Sequence, residues 1–270
     1  TVQLVAFPLS PTSISKLQVN IMTSGALTRF RYCGTAGQPT ATPVEPTAAP
    51  LTCPPERTVT VDFDTLPDGT PITPGTFITD QFKEAYGFDV TATRFLEATG
   101  EDTGTWARIF DSSNPTGNDR DLGSPNKNCA GCASTVACPG FAGQATAGFL
   151  VANVTNCVAQ NNILIIEEGD GTLPPDDNKD GGSYVFSFMT PIESVLSVGI
   201  MDVEQGLEGN QVVLKTAGDS VVETIPIQGL GDNTAQVVTF GVSTSPPSIT
   251  TVQVDVTTSG AITEFVFCQG

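Results

Sequence analysis

Histidine is absent from this 270-residue chain, and cations are scarce: 11 Lys plus Arg stand against 29 Asp plus Glu, a formal net charge of -18. Without histidine, serine and cysteine nucleophiles lack their usual base, and a zinc site would have to be all cysteine. The acidic balance repels phosphate backbones and anionic headgroups, so neither nucleic acid nor a membrane surface is an expected partner. One Trp and three Tyr leave little to stack on sugar rings, and the carboxylates sit in loop clusters rather than as the isolated pair a glycoside hydrolase needs. The expectation is a protein that is not an enzyme. No apolar run approaches the roughly 20 residues that span a bilayer, so no membrane insertion is expected of this stretch. Helical periodicity is nearly missing as well, residues 80–86 being the one short candidate.

What is present is period two. Val59, Val61 and Phe63 alternate, as do Tyr184, Phe186 and Phe188, then Val252, Val254 and Val256, then Phe265 and Phe267. Residues 163–166 are continuously apolar, the pattern of a strand covered on both faces. Turn signals such as Pro67-Asp68-Gly69 and Ser259-Gly260 separate the runs. Many short strands with Gly and Pro turns predict an all-β fold, an antiparallel β-sandwich or jelly roll.

The chain also repeats itself. Residues 14–33 and 249–268 align without a gap with 10 identities in 20 positions. Two copies 235 residues apart predict a tandem arrangement. Residues 1–34 read as the C-terminal part of one module, 35–56 as a linker and 57–270 as a complete β-sandwich module. The linker is dominated by Pro, Thr and Ala, which cannot bury enough surface to fold and favours extended geometry. Its Thr40, Thr42 and Thr47 are candidate O-glycan acceptors, the plain alternative being an unmodified spacer. Asn153 heads an N-glycosylation sequon, whereas the proline after Asn114 excludes the sequence that follows it.

Seven cysteines in such a chain suggest an oxidising compartment. Cys33 is the copy of Cys268, so the complete module owns six: Cys53, Cys129, Cys132, Cys138, Cys157 and Cys268. Six fit three disulfides. One pairing joins Cys53 to Cys268 and leaves two local bridges among the other four; its rival joins Cys33 to Cys53 across the linker. An all-cysteine zinc site around Cys129 and Cys132 is the remaining alternative.

The strings VDFDTLPDGTPITPGTFITDQFKEAYGFDVTA, IFDSSNPTGNDRDLGSPN, NILIIEE, PDDNKDGGSYVFSF, SVGIMDVE and LGDNTAQVVTF resemble, in this order, a secreted β-sandwich repeat of bacterial surface and algal extracellular proteins. The resemblance spans nearly the whole complete module. It implies a structural or adhesive module in an extracellular location and carries no established catalytic residues. With the cysteine-rich insertion and the proline linker, the chain looks like the repeat glycoprotein of an extracellular fibre, similar to a mastigoneme, that self-associates into a polymer.

Oxygen-bearing side chains gather in two loops. One holds Asp111, Asn114, Asn118, Asp119 and Asp121; the other holds Glu167, Glu168, Asp170, Asp176, Asp177, Asn178 and Asp180. Asp202 and Glu204, at the end of a strand pattern, could join them. Such loops suit calcium, which takes six to eight oxygens, although the spacing is not that of an EF-hand. The loop of residues 111–121 is the favoured location. The alternative is solvated turn residues capping their own backbone. Two readings of function follow: a structural subunit of an extracellular filament, or a calcium-dependent carbohydrate-binding or adhesion module that recognises glycans. Trp106 is expected to pack on the core or a strand edge rather than stack on sugar.

Overall fold

The structure, a computed structural model, describes residues 53–96, 100–117, 119–132, 137–141, 154–205 and 208–270. Residues 1–34, most of the linker, Asn118, Asn153, Thr40, Thr42 and Thr47 lie outside the described residues.

Among the described residues, twelve strands form two antiparallel six-stranded sheets. In chain order they are β1 (Thr58–Val61), β2 (Phe88–Leu96), β3 (Gly100–Gly104), β4 (Ala107–Asp111), β5 (Asn162–Ile166), β6 (Gly182–Ile192), β7 (Ser194–Met201), β8 (Gln211–Thr216), β9 (Val221–Pro226), β10 (Ala235–Thr239), β11 (Ile249–Val256) and β12 (Ala261–Cys268). The first sheet runs β10-β7-β12-β5-β4, with β1 also paired to β12; the second runs β3-β2-β6-β11-β8-β9. A single-turn helix, α1 (Lys83–Tyr86), falls inside the expected 80–86 segment. It stops at Gly87, whose positive φ of 78° gives a left-handed end that a side chain would disfavour. Among the described residues no helix is long and apolar enough to cross a membrane.

The alternating runs face inward, as a period-two pattern requires of a sheet buried on one face. Tyr184, Phe186 and Phe188 of β6 and Val252, Val254 and Val256 of β11 meet Phe265 and Phe267 of β12 across the sandwich. Ring centroids lie 4.7 Å apart for Phe186 and Phe265 and 5.1 Å for Phe188 and Phe267. Stacked and edge-on contacts of this kind add roughly 0.5–1.5 kcal/mol per pair to the area they bury. The Tyr184 hydroxyl reaches between the layers and donates to the carbonyls of Gly260 (2.8 Å) and Leu164 (3.2 Å).

The repeated segment occupies the centre of this architecture. Strand β11 lies between β6 and β8 in the second sheet, and β12 lies between β7 and the β1 and β5 pairings in the first. The 20-residue motif thus supplies one interior strand to each layer.

Strand β5 is buried along its whole length. Leu164 and Ile166 face the main core. Ile163 and Ile165 point the other way, into a second small core with Phe110, Leu122, Met201 and Ala261. The insertion after β4 therefore rests on packed apolar side chains as well as on disulfides. It is pinned by Asn233, whose side-chain amide donates to the carbonyls of Asp121 (2.6 Å) and Gly123 (2.7 Å) while its Oδ1 accepts from Asn126 (2.7 Å). Gly140 passes so close to Gly123 that an added Cβ would stand 1.9 Å from the Gly123 carbonyl oxygen, so only glycine fits there.

Three disulfides close the module: Cys53 to Cys268, Cys129 to Cys157 and Cys132 to Cys138. The first rules out the alternative bridge from Cys33 to Cys53, because Cys53 has no second sulfur to offer. The other two use Cys129 and Cys132 and so leave no thiolates for zinc.

Candidate functional site

Strand order decides which acids meet. Met201 ends β7 and is the register partner of Ala235, which opens β10, and of Ala261, which opens β12. Ile166 ends β5 opposite Ala107, at the opening of β4. The segments leaving this end of the first sheet carry Asp176 and Asp177 after β5, Asp202 and Glu204 after β7, and Asp232 before β10. The insertion adds Asp119, which precedes a 3-10 turn, Arg120–Leu122, and Asp121 within that turn.

Contacts among these acids run as a chain of neighbouring pairs. The Asp177 amide donates to Asp119 Oδ2 at 3.2 Å. The Asp119 and Asp176 carboxyls share a hydrogen bond, as do those of Glu204 and Asp232. Gly117, at a φ of +61°, lies against two of them: a Cβ there would be 2.8 Å from Asp176 Oδ1 and 3.5 Å from Asp119 Oδ2. Asp202 is a left-handed residue (φ 64°) next to another, Asn233 (φ 54°). The pair is held because the Asn233 amide donates to Asp202 Oδ1 at 2.6 Å, the Asp202 amide to the Thr234 carbonyl at 2.8 Å, and the Ser259 hydroxyl to Asp202 Oδ2 at 2.8 Å. Non-glycine residues enter that region at a cost, and such outliers concentrate at functional positions.

Burial without a counter-cation raises these carboxyls. Burial first, then the hydrogen bond and charge of Asp176, push Asp119 up to about 8. Glu204 rises to about 7 through burial and its contact with Asp232. Asp121 rises to about 6 through burial, with the Asp232 charge adding to it. Asp202 is held well above the ordinary carboxylate range by burial and the Asp121 charge. Asp177 is held there by burial and by the charges of Asp119, Asp202, Asp121 and Asp176. Its Oδ2 is buried with no hydrogen-bond partner.

Glu167 is the instructive contrast. It begins the same loop and bridges to Asp177 through the backbone, yet Arg108 Nη1 stands 2.9 Å from its Oε2 with both side chains buried. That guanidinium also donates to the carbonyls of Gly75 (3.0 Å), Leu173 (3.1 Å) and Gly171 (3.3 Å). Glu167 is thus a structural anion with its own cation.

Of the acids and amides singled out in the sequence, the structure brings together Asp119, Asp121, Asp176, Asp177, Asp202 and Glu204. It does not bring in Asp111 or Asn114. Asp111 sits at the other end of β4, paired with Asn162, and its Oδ1 accepts from the Ser113 amide (2.9 Å) and hydroxyl (2.6 Å). This is the turn-capping role weighed as the alternative. Sequence reasoning passed over Asp232 as a site residue; its signal was the Asp-Asn pair just before a strand. Among the described residues, no three acidic side chains are gathered into a set that would hold a metal ion as they stand.

Trp106 is covered by Arg94, whose guanidinium carbon lies 3.6 Å from the ring centroid. The indole packs against the core cluster. Elsewhere, a groove of about 590 Å³ mixes polar side chains, among them Asp62, Asp64, Gln160, Asn161, Gln236 and Glu264, with Val154, Ala159, Ala235 and Val237, and it has no aromatic platform.

No family model matches the chain. No curated protein matches it either. Among solved structures, a mutant of the lectin binding domain of Lectinolysin complexed with Lewis b aligns at 16% identity and a TM-score of 0.25, covering 34% of this chain and 68% of that one. A likeness of that degree carries neither fold nor ligand across.

Proposed function

We propose that this chain is a structural, non-enzymatic subunit of an extracellular filament or surface appendage, built from tandem, disulfide-stabilised and glycosylated β-sandwich repeats of a mastigoneme-like kind. One observation carries the reading. The segment that recurs in the sequence is the one that supplies an interior strand to both sheets, so its first copy implies a second sandwich of the same design. Cys53 and Cys268 have Cα atoms 5.7 Å apart, so segments flanking the module leave from one corner, an arrangement suited to beads joined by semi-rigid linkers. Three disulfides are compatible with an extracellular location. An array of like modules offers the same contact patch at every step, which favours polymer formation.

Electron microscopy of the native secreted protein tests this. Regular filaments whose repeat is commensurate with one module are expected, and dispersed particles under all conditions would sink the proposal.

The amide and carboxylate side chains of the groove support the second reading, a calcium-dependent carbohydrate-binding or adhesion module, because such groups pair well with sugar hydroxyls. A sugar-dependent rise in unfolding temperature of a monomeric protein would favour it over the filament.

A further inference from the structure

We infer that the buried end of the first sheet is a divalent-cation site, selective for calcium, in which the unpartnered Asp177 carboxylate is the central ligand, its neighbour Asp119 the second, and backbone carbonyls and water complete the shell. The inference goes beyond the filament reading and stands or falls without it.

Three observations converge. Asp177 is only 8% exposed, and its Oδ2 has no hydrogen-bond partner. A buried carboxylate oxygen left in that state is costly, so a partner is missing from the protein's own side chains. Asp119 Oδ2 accepts from the Asp177 amide, and the Asp176 and Asp119 carboxylates both face the space that a side chain at position 117 would fill. Glycine at 117 therefore lets both carboxylates approach the backbone more closely than a side chain would allow. Arg108 balances Glu167 in the same loop, whereas the charges acting on Asp177 are those of other acids.

A proton or a cation could relieve this crowding. Calcium suits the donor chemistry, which is oxygen throughout, and it tolerates irregular coordination completed by backbone carbonyls, amides and water. Magnesium demands near-ideal octahedral geometry and releases its water reluctantly, so it should bind less well. The acids stand as neighbouring pairs rather than a closed cage, which fits the weak millimolar or sub-millimolar affinity of extracellular modules rather than that of a buffer protein.

The test uses the full oxidised chain, stripped with a chelator at pH 7.5 and titrated with calcium chloride or magnesium chloride. Unfolding temperature and heat of binding are both read. Calcium at 10 mM should raise the unfolding temperature by roughly 4–8 °C, and magnesium by clearly less. Asp177→Asn should weaken calcium binding about tenfold or more, yet should unfold no earlier than the wild type in chelator, because it removes a repelled charge. Asp119→Asn serves the same purpose should Asp177→Asn not fold, and Asp111→Asn should bind like the wild type. No calcium response up to 10 mM, an equal response to magnesium, or an unchanged response in both Asp177→Asn and Asp119→Asn would overturn the site.

Discussion

Arg108 and Glu167 form a buried ion pair, 2.9 Å between Nη1 and Oε2, that ties β4 to the loop following β5. The guanidinium is also a brace, since three loop carbonyls accept from it. Desolvating two charges offsets much of their attraction, but leaving one of them alone is worse.

Arg108→Ala is therefore expected to destabilise the module by about 3–5 kcal/mol, because Glu167 would remain buried without its partner. An apolar double replacement, Arg108→Met with Glu167→Leu, should recover a large part of that loss. Urea denaturation of the two single variants and the double variant measures the coupling. Additive losses in the double variant would show that the pair does not act as a unit.

The Cys53 to Cys268 bridge closes a loop with a sequence separation of 215. Chain-entropy arithmetic for a loop of that size gives up to about 5 kcal/mol of stabilisation. Replacing both cysteines by serine should lower the denaturation midpoint correspondingly and leave the strands formed, since β1 still pairs with β12. A denaturation midpoint equal to that of the wild type would show that the closure contributes nothing beyond the strand pairing.

In metal-stripped protein, stability should fall as pH rises. Each raised acid holds its proton in the folded state at pH values where the unfolded chain, titrating near 4, has lost it. The folded state is thus favoured in mild acid, and the advantage is lost as pH passes upward through about 6 for Asp121, 7 for Glu204 and 8 for Asp119. Glu193, lowered by its hydrogen bonds from Arg57 and Ser243, acts in the opposite sense only in more acidic solution. Calorimetric unfolding between pH 4 and 9 should show a decline that starts just above the unfolded value near 4, is steepest below about 6 where all three acids contribute, and becomes shallower as each folded value is passed; a flat profile would contradict the crowding of acids.

The strands were legible because alternation is a property of neighbouring residues. Tyr184, Phe186 and Phe188 declare an inward face whatever they pack against, and the unbroken run 163–166 declared a strand buried twice. The site was legible only as composition. Asp111 and Asp119 look alike within one short loop, yet one caps its own turn and the other meets Asp176 and Asp177 from beyond β5. Asp232 was passed over because nothing near it in sequence is acid-rich.

The period of the strands, the inward faces, the supply of acidic loop residues and the recurrence of one motif are all written in the local order of the residues. Long-range contacts alone bring the ends of β5 and β7 beside the start of β10, give Arg108 to Glu167 rather than to Asp177, and join Cys53 to Cys268. Those outcomes depend on strand order and on which charges share a buried space, and both are set by contacts between residues far apart in the chain.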